Sequence, residues 1–153
     1  MRRLKIKTES WPVAGEFRIS GSSLSEITVV LVTLQEGDHI GRGECRPYAK
    51  YNETADSVTA QIETIRLEIE NGATTEALQN FLPAGAARNA VDCALWDLKA
   101  KQSGQRVSDL LDLPAPKPRL TAFTLSIDTA ENMRKAAREA ADYPLLKIKI
   151  GGA

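Results

Sequence analysis

Apolar and polar side chains alternate over residues 3 to 9, with Leu4 and Ile6 on one face and Lys5 and Lys7 on the other. That pattern predicts a half-exposed strand of an antiparallel sheet. Trp11-Pro12 interrupts it, and residues 13 to 25, with Gly15, Gly21 and four serines, predict a mobile loop. A Val- and Thr-rich run from Ile27 to Leu34, the turn Glu36-Gly37-Asp38 and a second run from about Ile40 to Cys45 predict a hairpin. His39 at its turn reads as a solvated residue. Gly41 and Gly43 are the small residues of a strand that passes close to another backbone, and Pro47 stops it. Glu44 and Arg46 read either as an ion pair or hairpin-end contact, or as residues that position the neighbouring loop over a site.

From Thr54 to Asn71 the period changes from two to helical. Val58, Ile62, Ile65 and Ile69 share a face, and Asn71-Gly72 closes the pattern as a C-cap pair does. A shorter helix from Thr75 to about Phe81 is stopped by Pro83 and Gly85. Over residues 86 to 98, Ala87, Ala90, Val91, Ala94, Leu95 and Leu98 form one stripe, small enough for another element to pack very close. Asp92, Trp96 and Asp97 on that helix read as structural, the carboxylates pairing with neighbouring basic side chains or capping a turn. Pro114, Pro116 and Pro118 then mark a domain boundary.

Beyond the prolines, Leu120 to Ile127 predicts a strand. Asp128 predicts a helix cap with Glu131 in the reciprocal position, and Ala130, Met133, Ala137, Ala140 and Ala141 give that helix an apolar side. Leu146 to Ile150 predicts a second strand, with Lys147 and Lys149 on one face. A strand, helix and strand in this order implies a right-handed crossover and a parallel pair, a kind of sheet normally covered on both faces. Two lysines there would be desolvated and mutually repelled, which lowers a lysine pKa toward proton-accepting range. The tetrapeptide alone decides nothing, because Leu4-Lys5-Ile6-Lys7 repeats it in a setting where lysines meet water.

Composition narrows the picture. The 153 residues are 42% hydrophobic and 26% charged, which fits a folded, water-soluble chain. Twenty basic and twenty acidic residues cancel, so no field draws the chain to nucleic acid or an anionic membrane. Without a membrane span or a signal-peptide core the default is a cytoplasmic protein. Cys45 and Cys93 are too few for a disulfide framework and lack a histidine partner for zinc, so free thiols are expected.

Taken in order, the meander with its Ser/Gly-rich loop, Gly-Arg-Gly-Glu-Cys-Arg-Pro-Tyr at 41 to 48, Ala-Ala-Arg-Asn-Ala-Val-Asp-Cys-Ala-Leu-Trp-Asp-Leu at 86 to 98, the proline link and Leu-Lys-Ile-Lys-Ile-Gly at 146 to 151 resemble the enolase superfamily. The likeness is to its muconate-lactonizing subgroup and, within that, to the dipeptide epimerases. The resemblance implies an α+β capping domain at 1 to 113, a linker at 114 to 118, and at 119 to 153 the first strand-helix-strand unit of a modified TIM barrel. It implies that Lys149 is the general base that removes the substrate's α-proton. Lys147 would tune that base and contact the substrate carboxylate, and Thr124 would bind substrate. In the Ala-Glu branch a basic residue of the capping loop is expected to meet the glutamate side chain. The corresponding position here is Leu24, which favours an uncharged second residue. Arg18, nearby, reads equally as a substrate contact or a solvated strand residue.

The resemblance also implies Mg2+ on the oxygens of the deprotonated substrate, with carboxylate ligands and an opposing lysine from later barrel strands. None of these is assigned within the 153 residues. Two strands cannot close an eight-stranded barrel, so the chain is expected to be part of a protein roughly twice as long. The partners implied are a small dipeptide, with a homo-oligomer as an option, in a peptidoglycan peptide recycling setting. Two alternatives stand beside this reading. One is another proton-abstracting member of the subgroup, a muconate cycloisomerase or an o-succinylbenzoate synthase; the other is a non-catalytic binding or oligomerisation module.

Overall fold

The computed structural model describes residues 1–19 and 22–151. The chain divides in space into two compact units, one of residues 1–11 and 28–115, the other of residues 12–27 and 116–153.

The first unit is built on a three-stranded sheet of order β1-β2-β3, formed by β1 (Arg3–Ile19), β2 (Ser22–Glu36) and β3 (His39–Cys45), with residues 12–19 of β1 and 22–27 of β2 counted to the second unit. β2 and β3 are antiparallel, with Val32 opposite Gly43 and Glu36 opposite His39. Gly37 takes the left-handed conformation at the turn, at φ +59°. The expectation of a loop over 13 to 25 is corrected: the chain is strand up to Ile19 and again from Ser22. Val13, Phe17 and Ile19 continue the two-residue period through the small residues, and pairing of β1 with β2 satisfies backbone groups that a loop would leave to water. Pro12 is accommodated because β1 is an edge strand. Ser20 and Gly21 lie outside the described residues.

Among the described residues six α-helices follow, beginning with α1 (Ala55–Thr64), α2 (Arg66–Glu70), α3 (Thr75–Phe81), α4 (Ala86–Ser103) and α5 (Val107–Leu110). Thr54 caps α1 in a reciprocal box with Ser57, and Gly104 ends α4 in the left-handed conformation. The single helix expected over 54 to 71 is two, parted at Ile65, where the Thr64 hydroxyl donates back to the Gln61 carbonyl at 2.7 Å. The core joins Val30, Val32 and Leu34 of the sheet to Val58, Ile62 and Ile69, Leu78, and Ala90, Val91, Ala94 and Leu98 of α4.

The contact between α4 and β3 is the closest in this unit. A Cβ placed on Gly41 would strike the Ala94 carbonyl oxygen, and one on Gly43 would strike the Ala90 carbonyl oxygen. The strand glycines and helix alanines read separately from sequence are thus two halves of one contact. Asp97 on this helix accepts the Arg42 N–H at 2.7 Å and the Lys101 ammonium at 2.7 Å. Burial opposes its charge, but those partners outweigh it and hold the carboxyl below the usual range. The ion pair weighed for Glu44 and Arg46 does not form. Arg46 lies over the Tyr48 ring instead, 5.2 Å from its centroid.

In the second unit β4 (Phe123–Leu125) and β5 (Leu146–Ile148) form a parallel pair, joined through α6 (Ala130–Glu139). The strand expected over 120 to 127 is reduced to three residues, since one neighbour can pair only what lies opposite it. The cap of α6 is Thr129, whose hydroxyl accepts from the Asn132 N–H at 3.3 Å, rather than Asp128. Asp128 accepts the Thr129 N–H at 2.7 Å, one residue before the helix. Phe123 stacks on Tyr143 with centroids 4.3 Å apart. No helix among the described residues is long and apolar enough to cross a membrane.

Candidate functional site

The candidate catalytic residues come together through the register of β4 and β5. Thr124 lies directly opposite Lys147, flanked by Phe123 opposite Leu146 and Leu125 opposite Ile148. Lys149 follows the end of β5, yet its N–H still donates to the Leu125 carbonyl at 3.0 Å, so the ladder extends to it. Alternation along the strand sets Lys147 and Lys149 on the face that carries Thr124, and Leu125 and Ile148 on the other. Leu125 is buried at 3% exposure and anchors the unit together with Ala140.

The covering expected from a parallel sheet is not present around this face. Lys147 is exposed and Lys149 half-buried, and even Ile148, on the apolar side, is 56% exposed. The physical reason is that, among the described residues, the sheet has two strands and one helix, so each strand lacks a neighbour on one side. The desolvation expected for the two ammoniums is therefore not supplied by the described residues.

Leu24 sits in β2, half-buried, on a strand instead of in a loop, and its segment belongs to the same unit as Thr124 and the lysines. Arg18 falls on β1, and its side chain lies outside the described residues. Among the described residues no group of three His, Cys, Asp or Glu side chains is placed to hold a metal ion. The donors on the candidate face, two ammoniums and a hydroxyl, do not fit Mg2+, which takes anionic and carbonyl oxygens.

A second concavity lies in the first unit, with a volume of about 550 Å³ and lined by Cys45, Arg46, Tyr48, Glu53 and Asn89 among others. Its polar floor is already committed. Glu53 Oε1 accepts the Ala86 N–H at 2.7 Å and Oε2 accepts the Tyr48 N–H at 3.2 Å, so a carboxylate from outside α4 occupies the start of that helix. Burial pushes the Cys45 thiol up to about 11, which leaves it a weak nucleophile, and both cysteines are free. Sequence reasoning did not single out Glu53. Its signal would have been the need of Gly85, which has no side chain, for an external cap.

Residues 1–112 match the family described as mandelate racemase / muconate lactonizing enzyme, N-terminal domain. Among curated relatives, L-Ala-D/L-Glu epimerase of Escherichia coli is 45% identical over 152 residues, 98% of this chain and 47% of the relative. A solved enolase family member from Agrobacterium tumefaciens with homology to dipeptide epimerases, holding sodium and L-Ala-L-Glu with an ordered loop, superposes at TM-score 0.93 and 45% identity over 99% of this chain and 46% of that one. A dipeptide epimerase from Methylococcus capsulatus, complexed with Mg and L-Arg-D-Lys, superposes at TM-score 0.84 and 30% identity over 97% and 45% of the two chains. The chain spans about half the length of the relatives it matches.

Proposed function

The chain belongs to the mandelate racemase / muconate lactonizing enzyme family through its N-terminal domain, and from that membership we propose that the whole protein is a dipeptide epimerase in which Lys149 is the base. The observation that carries the reading is the shared face of Thr124, Lys147 and Lys149 on a parallel pair, in a chain 45% identical to an epimerase. Neither half suffices alone, since Lys5 and Lys7 repeat the tetrapeptide without this context.

In the proposed reaction the Lys149 Nζ lone pair takes the α-proton of the dipeptide's second residue. The C–H bonding electrons pass into the adjoining carboxyl group as an enolate, and a proton returned to the opposite face gives the other epimer. Lys147, two residues away on the same face, supplies a positive charge for the substrate carboxylate, and the Thr124 hydroxyl opposite it is a further donor. Mg2+, present in the Methylococcus relative's structure, would supply charge stabilisation for the enolate oxygens. No described residue is assigned to it, nor to the acid on the opposite face.

For the substrate, likeness to proteins that act on or hold Ala-Glu favours that dipeptide. Leu24 favours an uncharged second residue, because an unpaired carboxylate beside it would be costly to bury. The test is α-proton exchange in deuterated buffer across a dipeptide panel, with full-length protein and Mg2+. Exchange is expected for Ala-Xaa dipeptides, and Lys149→Ala should slow it by about 10³-fold. Unchanged exchange in that variant would remove the base assignment, and turnover confined to Ala-Glu would remove the role given to Leu24.

A further inference from the structure

β1 and β3 are the two edges of the three-stranded sheet, so each turns a row of N–H and C=O groups away from it. On β3 the outward residues are Ile40, Arg42 and Glu44, and each has a partner on α4. The Lys101 ammonium donates to the Ile40 carbonyl at 2.8 Å, the Arg42 N–H donates to Asp97 Oδ2 at 2.7 Å, and Asn89 Nδ2 donates to the Glu44 carbonyl at 3.3 Å. Asn89, Asp97 and Lys101 fall at four- and eight-residue intervals and so share one stripe of the helix. Asp97 and Lys101 are also ion-paired at 2.7 Å.

The same device recurs on the other edge. The Leu4 N–H donates to Glu70 Oε1 at 3.1 Å, Arg66 Nη1 donates to the Leu4 carbonyl at 2.7 Å, and Arg66 and Glu70 are ion-paired at 3.1 Å. In both places an acid and a base four residues apart on a helix, already paired with each other, meet the N–H and C=O groups that a further strand would otherwise take. As partly exposed surface ion pairs they contribute too little to stability to explain the repeated geometry. An unguarded edge, by contrast, is a template for another chain.

We infer that these two ion pairs act as strand surrogates, closing β3 from Ile40 to Glu44 and β1 at Leu4 against addition of a strand from a second copy of this chain. The test uses full-length protein carrying Asp97→Ala and Lys101→Met, with hydrogen exchange resolved at single amides and sedimentation velocity over a concentration series. The Arg42 amide should exchange about 10- to 100-fold faster, while Gly41 and Gly43, which face β2, keep their protection. The sedimenting mass should rise with concentration above that of the unmodified protein. Unchanged exchange at Arg42, or an assembly state equal to that of the unmodified protein at every concentration, would overturn the inference. If the double variant does not fold, Asp97→Asn decides the matter. It keeps an acceptor but loses the charge, so Arg42 exchange should be several-fold faster; exchange equal to the unmodified protein would overturn the inference.

Discussion

The α4–β3 contact and the β4–β5 pair both place charged residues beside small or apolar ones, yet the two regions differ in what those residues answer to. Around α4 the contacts with β3 have mechanical partners: the helix alanines meet strand glycines, and Asp97 and Lys101 meet backbone groups of β3. On β5 the lysines have neighbours along the strand and opposite it, but the described residues provide no covering layer. A residue type explained by packing needs no further function. Lysines on a parallel strand have no such explanation within this chain, and that difference directs the catalytic proposal to the second unit.

The comparison breaks most readily where packing is tightest. Gly43→Val would drive a branched side chain into the Ala90 backbone. Since backbone cannot yield as a side-chain tip can, the loss should reach about 3 kcal/mol or more, seen as a large fall in Tm or failure to fold. A Tm within a few degrees of the parent would mean that the α4–β3 contact is looser than described. The converse variant is Lys149→Ala, whose stability cost should be within about 0.5 kcal/mol, because the residue is half-buried and its ladder bond is made by the backbone. Its exchange activity should nevertheless fall by about 10³-fold. Comparable losses of stability in both variants would erase the distinction between the two regions.

How much of this was legible in the sequence follows the same division. The glycines of β3, the alanine stripe of α4 and the helical periods at 58 to 69 were readable because each records a steric demand inside one element. The largest miss depended on a partner distant in sequence, the smaller ones on a choice between neighbours. Residues 13 to 25 read as loop because serines and glycines are poor strand formers, and only pairing between β1 and β2 makes 13–19 and 22–25 strand. Thr129 displaced Asp128 as cap by one residue, a shift within the reach of either side chain. Arg46 chose a ring two residues on over Glu44. The candidate site was legible as a face, since the register that aligns Thr124 with Lys147 follows from strand-helix-strand order. Its covering and its metal were not, because neither is formed by the described residues.

Smaller effects sharpen the picture of the first unit as a set of mutually satisfied ends. Glu53→Ala should remove the external cap of α4 and cost about 1–2 kcal/mol, because Gly85 cannot replace the acceptor and the Ala86 N–H would be left partly buried. Chemical denaturation with an unchanged m-value would measure it. A cost near zero would show that water caps the helix as well as the carboxylate does.

The smallest expected effect is one of pH. Glu36 is ion-paired with Arg2 at 3.1 Å and accepts from Gln102 at 3.3 Å. Burial opposes its charge, but Arg2 and then Gln102 prevail and hold the carboxyl below its ordinary value of 4.5. A carboxyl with a depressed folded-state value adds stability above its unfolded value and loses it as pH falls through the folded one. The contribution is thus complete near neutral pH, begins to fall near 4.5 and is lost as pH drops through the lower folded-state value. Because the pair is partly exposed it should amount to less than about 1 kcal/mol. Glu36→Gln should therefore lower Tm slightly at pH 7 and converge with the parent in acid, and this should be checked by thermal unfolding from pH 7 to 3. A constant offset at all pH values would mean that Glu36 acts through packing and hydrogen bonding instead of charge, and would place the Arg2 contact among the steric features of this unit.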